Sequence, residues 1–472
     1  MKKIISGFIS VLAFMLLFAC SNESATENGN DNDGSSNTID LEQFDEFDWK
    51  RFDGEEIEIM LNQHPYAEAI IERIPEFEEK TGITVNHSLT PEENYFDKLT
   101  TSLNAQNGNP DVFMTGAYQV WEYATADYMQ ELDVFVEDEN RTSPDYDVDD
   151  FYEGILDAGR WDGVPGHTVG EGNLYTVPLA YEFNLLHYNK RALESIGLEE
   201  PPETMEELIE VGAQLDGWNG EGSYGVGTRG TRSWATIHPG YMTSFDNHGA
   251  VDFTVEDGSL VSHLNSTEAI EITEKFAELV NEAGPSDWSS YTWYQVSNDL
   301  AQGKAAFTYD ASNWAIFHNV PGEAPEAGNI GVTTPPRTKD DDLGTNMWVW
   351  SIAMNKSSEK KDAAWLFMQY FTGKEHMQWG AIEANVVDPV RESVFESDEY
   401  QERIGDIEGY VETFNELIDG STIKFTPQPE FFNTTTEWAA ALQDIVNGAD
   451  AEERMNELNK DIQERVSRVR AE

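Results

Sequence analysis

The sequence predicts an α/β fold divided between two domains, and three observations carry that prediction. Residues 56–115 run through strand and helix patterns in the order β-α-β-α-β, which calls for a parallel sheet with right-handed crossovers. Amphipathic helices recur through the rest of the chain. At 472 residues the chain exceeds what a single core accommodates.

The elements follow in order. Glu56 to Leu61 alternates as a strand. Tyr66 to Lys80 is a helix with Ile70, Ile74 and Phe77 on one face, and Thr81-Gly82 stops it. Ile83 to Leu89 is a second strand. Pro91 opens a helix whose stripe is Phe96, Leu99 and Leu103, and Asn109-Pro110 leads into the strand Asp111 to Thr115. Ligands of open α/β sheets lie beyond the carboxyl ends of the strands, so Asn62, Gln63 and His64, and then Gly116 to Tyr118, border the expected site. Val177 to Tyr188 is an apolar and aromatic strand broken by Glu182, Asn184 and His187, and a carboxylate in such a run needs a partner. Helices follow at Glu268 to Asn281, Lys361 to Phe371 and near Ala451 to Arg468. Glu137 to Asp150 is an acidic loop.

The amino terminus adds a destination. Lys2 and Lys3 precede an apolar run from Ile4 to Phe18, which has the length of a signal peptide and is short for a spanning helix. It ends Leu17-Phe18-Ala19-Cys20, which resembles a bacterial lipoprotein signal in which the cysteine becomes the first residue and carries lipid. Cys20 is the only cysteine, so it has no internal disulfide partner. Residues 20–49 then read as a disordered tether, rich in Asn, Asp, Ser and Gly at its start.

Composition excludes whole classes of partner. The chain holds 29 Lys and Arg against 89 Asp and Glu, a net charge of −60, which argues against nucleic acid and anionic headgroups. The acids are spread along the chain, as on a solvated surface suited to a saline or alkaline habitat. The 13 Trp suit a carbohydrate binder, because a ring face packs on the apolar face of a sugar, although core packing accounts for most tryptophans.

The segment Gly172 to Leu208, strand, basic turn, helix, proline break and helix, resembles the first interdomain crossing of bacterial extracellular solute-binding proteins of the maltose-binding type. Asn109-Pro110-Asp111-Val112 with Glu131-Leu132-Asp133, Leu300 to Trp314, Trp350 to Phe371 and Asp388-Pro389-Val390-Arg391 resemble further segments of that family in the same order. Gly225 to Gly230 before Trp234 is similar to its sugar and sugar-alcohol branch. The resemblance implies a two-lobe, periplasmic-binding-protein-like fold, each lobe a mainly parallel sheet flanked by helices, with the ligand cleft between. It divides the chain into a signal peptide (1–19), the tether (20–49), lobe one (50–180 and 311–350) and lobe two (181–310 and 351–472). It implies capture of a sugar or sugar alcohol for the permease of an ABC importer, by a monomer on the extracellular face of the cell membrane, held by lipid on Cys20, without cofactor or metal.

Candidate ligand residues follow from the chemistry of hydroxyls and ring faces. Glu182 in the first crossing and Asp310 at the second are charged acceptors near the hinge. Asn313 and Trp314 share the Asp310 loop. Arg229 and Arg391 are scarce cations able to donate to ligand oxygens. Trp234 lies just beyond Arg229. Of Trp348 and Trp350 in one strand, one is expected in the core and the other in the cleft. His64 follows the first strand, and Tyr118, Phe431 and Phe432 resemble positions that form aromatic walls in the family. Two alternatives stay open: a binder of longer oligosaccharides, and a secreted carbohydrate-active hydrolase with paired carboxylates. No His-x-x-x-His pattern, nucleophile elbow or Walker loop supports an enzyme. Asp340 to Asp342 lacks the alternation and glycine of a calcium loop.

Overall fold

Fourteen consecutive buried residues, Thr176–Asn189, form the strand around which the molecule is built. The computed structural model describes residues 45–339, 344–384 and 388–471. The signal segment, Cys20, the tether up to residue 44 and Asp340 to Asp342 lie outside the described residues.

The strands in chain order are β1 (Glu56–Asn62), β2 (Thr84–Thr90), β3 (Val112–Gly116), β4 (Arg160–Trp161), β5 (Asn173–Leu174), β6 (Thr176–Asn189), β7 (Tyr224–Gly227), β8 (Phe253–Glu256), β9 (Ser259–Ser262), β10 (Ala305–Ala311), β11 (Ile330–Thr333) and β12 (Met347–Met354). The large sheet runs β2-β1-β3-β12-β6-β10-β7, with β11 also on β6. β4 with β5 and β8 with β9 form separate two-stranded ribbons.

β6 serves both lobes. Its first half, Thr176 to Phe183, pairs antiparallel with β12. Its second half, from Asn184 to Tyr188, pairs with β10, and Leu186 to Asn189 pairs with β11. The strand therefore leaves one half of the sheet and enters the other, as its unbroken apolar pattern requires. Parallel pairing holds for β1 with β2, β1 with β3 and β10 with β7. Antiparallel pairing holds wherever β6 or β12 enters, so each lobe is parallel at its outer strands and mixed at the crossing.

Local sequence explains the first lobe. α1 (Pro65–Thr81) begins with proline at a position needing no N–H and ends on Gly82 in the left-handed conformation, φ 75°. Ile70, Ile74 and Phe77 are buried, as the pattern predicts. α2 (Glu92–Asn104) corrects the prediction: Tyr95, not Phe96, joins Leu99 and Leu103 in the core. The Tyr95 hydroxyl is held by the Met60 carbonyl at 3.0 Å and the Met114 carbonyl at 2.5 Å. Phe96 is left half-buried, facing the cleft.

Three segments lie elsewhere than the sequence reading puts them. The helix Lys361–Phe371, expected in lobe two, packs on α1 of lobe one, with Phe367 at 5.5 Å from Phe77. β11, expected in lobe one, pairs with the far half of β6 on the edge opposite β10. Trp49, expected in the tether, packs on Tyr370 at 6.1 Å, with the Lys80 ammonium 4.5 Å from its ring. An amphipathic stripe states which face is covered but not which element covers it.

Candidate functional site

The carboxyl ends of β1 and β2, the middle of β6, the loop after β7, the end of β10 and the start of β12 converge on one cavity of about 200 Å³, while Gly116 to Tyr118 after β3, expected at the site, are not among its lining residues. Its lining includes His64, Glu182, Arg229, Trp234, Asn313, Trp314, Trp348 and Trp350, all of them expected from the sequence. An adjoining chamber of about 380 Å³ shares Glu92, Arg229, Trp234 and Trp293 with it and adds Phe96, Asp97 and Tyr294.

The rings close around this space. Trp348 and Trp350 have centroids 5.1 Å apart, and Trp234 lies 5.2 Å from Trp348. Both strand tryptophans line the cavity, which corrects the expectation that one would turn into the core. Positions two apart in a strand share a face. Rings from opposite sides of the cleft are in contact: Phe96 of α2 lies 6.3 Å from Trp234, and His64 lies 6.2 Å from Trp293. The cleft is closed.

A buried ion pair forms one wall. Arg229 donates from Nε to Asp310 Oδ2 at 2.8 Å and from Nη2 to Asp310 Oδ1 at 2.5 Å. Its Nη1 reaches the Ala235 carbonyl at 3.3 Å and His238 Nε2 at 3.0 Å. Because His238 Nε2 accepts there, its proton belongs on Nδ1. Burial alone would lower the Arg229 pKa, but Asp310 outweighs it and the net shift is upward. Burial, reinforced by Arg229, pushes His238 well below the ordinary imidazole range. Burial likewise brings His64 down to about 3, so both imidazoles are neutral at physiological pH. Asp310 does not itself line the cavity. It positions Arg229, which does.

Glu182 is 7% exposed and projects from the crossing strand opposite Trp348. Its Oε1 accepts from Asn313 Nδ2 and from Trp350 Nε1, each at 3.2 Å. Burial raises its pKa to about 8, against the lowering effect of Arg229. Asn313 also donates to the Tyr66 hydroxyl at 2.9 Å, and its Oδ1 is buried without a hydrogen-bond partner. Trp314 presents an edge to the cavity while the rest of its ring packs on His187 and in the core with Tyr224, Val296 and Leu300.

Besides Asp310, four sequence candidates stand behind or away from the cavity. Tyr118 is fully buried, its ring 4.8 Å from Trp348 and its hydroxyl on the Met347 carbonyl at 3.0 Å. Phe432 packs at 5.3 Å on Trp234, which lines the space, and Phe431 packs at 4.8 Å on Tyr118, which does not. Arg391 is not among the lining residues. It is fully buried, donates to the carbonyls of Thr372 and Asp147 at 2.8 Å, and lies 3.9 Å over the Phe151 ring. Sequence reasoning missed His238, Trp293, Ser297, Phe317 and His318 in the cavity wall. His238 stands four residues after Trp234, on one helical face with it, and that spacing was available. Trp293 opens a helix after the Thr292 capping box, a local sign of a helix start but not of a cleft.

Among the described residues, no group of three or more His, Cys, Asp and Glu is placed to hold a metal, and no helix is long and apolar enough to cross a membrane.

This architecture has relatives. The chain is 40% identical over 415 residues to the erythritol/L-threitol-binding protein of Mycolicibacterium smegmatis, covering 88% of this chain and 86% of that protein. A solute-binding protein of an ABC transporter from Agrobacterium radiobacter, solved in complex with ribitol, superposes with a TM-score of 0.75 at 20% identity, covering 87% and 99% of the two chains. Another from Agrobacterium vitis, with bound D-mannitol, gives 0.74 at 21% identity over 87% and 98%. These two share the two-lobe fold. The bacterial extracellular solute-binding proteins match residues 62–378, and the chain belongs to that family.

Proposed function

We propose that this protein is the ligand-capturing component of an ABC importer for a small uncharged sugar alcohol or monosaccharide, tethered outside the cell through lipid on Cys20, and not an enzyme. The carrying observation is the cavity: about 200 Å³, walled by Trp234, Trp348 and Trp350, with the polar groups Glu182, Asn313 and Arg229 converging on it. That is below the range of about 300–1,000 Å³ typical of drug-sized ligands and suits a compact solute. The rings cover C–H faces, and the polar groups meet hydroxyls. The Mycolicibacterium smegmatis relative, named for two four-carbon polyols, supports the same size class. Closure is a hinge motion about β6 and the other crossings, stabilised by differential affinity for the closed form. The closed surface then presents the ligand to the permease.

The adjoining chamber favours a second reading, a longer saccharide running past Trp234 and Trp293 into it. A thermal-shift and calorimetric series of the full chain with erythritol, L-threitol, ribitol, D-mannitol and maltose separates the two. A polyol whose rising concentration raises the melting temperature supports the proposal. A response to maltose alone supports the second reading, and cleavage of any of these compounds overturns the binding-protein assignment.

A further inference from the structure

We propose that Glu182 meets the captured solute as a neutral carboxylic acid, donating a hydrogen bond to a ligand oxygen, so that ionising Glu182 opposes capture. The protonation state stands on this structure alone, and the ligand contact rests on the polyol reading.

The geometry offers Glu182 no counter-ion. Among the described residues no Lys, Arg or His nitrogen lies within 4.0 Å of its carboxyl. The cation nearest in the cavity wall, Arg229, turns its fork to Asp310. The partners of Glu182 are two neutral donors, both on Oε1 and both at 3.2 Å. A lone buried carboxylate is costly, and neutralisation is the common resolution.

On balance the groups facing it from each neighbouring element agree. His64, from the loop before α1, and His238, from the turn after Trp234, are neutral because burial lowers both. Tyr66 of α1 approaches through Asn313, and its phenol is held protonated by burial. Arg229 favours ionisation, and its partner Asp310 opposes it in part. Glu92 of α2 and Asp388 add negative charge that opposes ionisation. Burial is the largest effect and places the midpoint at about 8.

Two donors on Oε1 leave the proton for Oε2. A ligand hydroxyl accepting from Oε2 has its own proton to give, and Asn313 stands in the same cavity wall. A neutral Glu182 takes one negative charge out of a wall in which Arg229 is paired with Asp310 and Glu92 is the other acidic lining residue.

Two measurements on the full chain test this. Infrared difference spectra of unliganded wild type minus Glu182→Gln at pH 6.5 should show the carbonyl stretch of a protonated carboxylic acid, and at pH 10 that of a carboxylate. Subtraction cancels Asp388. Erythritol affinity of the wild type should be flat below pH 7 and fall toward tenfold per pH unit well above pH 8. Glu182→Gln, which keeps a donor and an acceptor, should bind within about fivefold of wild type at pH 7 and lose the pH dependence. A carboxylate signal already present at pH 6.5 overturns the proposal, as does a wild-type affinity flat to pH 10. If no polyol binds, the infrared result still decides the protonation state and only the polyol reading fails.

Discussion

Replacing Asp310 by Asn tests whether the cavity wall is held by a desolvated ion pair. The carboxylate is fully buried, Arg229 is 7% exposed, and the two meet through a bidentate contact at 2.8 and 2.5 Å. The substituted amide would keep the shape but leave the guanidinium buried without its anion. Breaking such a pair from one side costs about 3–5 kcal/mol, a large share of the roughly 5–15 kcal/mol that holds a folded protein together. Arg229→Met leaves Asp310 with only the Ala311 N–H at 2.9 Å and should cost about the same. The double variant removes both charges and should cost no more than either single one, because no uncompensated buried charge remains. The implied coupling is at least about 3 kcal/mol. Urea unfolding of the four proteins, compared at a common slope, measures it. A single-variant cost below about 1 kcal/mol, or additive costs in the double variant, would refute the claim that these charges are desolvated and mutually dependent.

Other outcomes are expected. Trp234→Ala and Trp350→Ala should each weaken polyol binding by about 1–3 kcal/mol, roughly 5- to 150-fold in Kd by calorimetry. Arg391→Lys loses a fork that serves two carbonyls and Asp150, so the urea midpoint should fall while polyol affinity stays within about twofold. Asp388, fully buried against Ser312 and Tyr410, has its pKa raised by burial from 3.8 to about 6. Its folded form holds the proton longer than the unfolded chain. The associated stability, about 3 kcal/mol, is therefore present below pH 4 and lost as pH rises through about 6. Asp388→Asn should remove that slope from the stability profile between pH 4 and 7. Finally, a net charge of −60 repels itself, so adding 1 M NaCl should raise the melting temperature of the full chain. An unchanged or lower value would remove self-repulsion as a determinant of its stability.

What the sequence disclosed and what it withheld divide along a physical line. Periodicity disclosed β1, α1, β2, β3 and the crossing strand β6, because burial on one or both faces is written locally. It did not disclose partners. Tyr95 and Phe96 both fit an apolar stripe on α2, and only the Met60 and Met114 carbonyls choose Tyr95 for the core, releasing Phe96 to the cleft. The same limit moved Lys361–Phe371 to the other lobe, since Phe77 and Phe367 carry no mark of each other in the sequence. Scarcity of cations pointed equally to Arg229 and Arg391, and both are buried among acceptors, but only one on the cavity. A cleft that binds C–H faces is lined with the same side chains as a core, so composition along one segment does not separate them. The separation comes from where strand ends meet. Glu182 is on β6, Arg229 follows β7, Asn313 follows β10 and Trp348 is on β12, and those strands are neighbours in the sheet, although the four residues span more than 160 positions of the chain. The cavity is a property of strand order, which is why the segments that carry the family resemblance located its contributors while saying little about which of them touch.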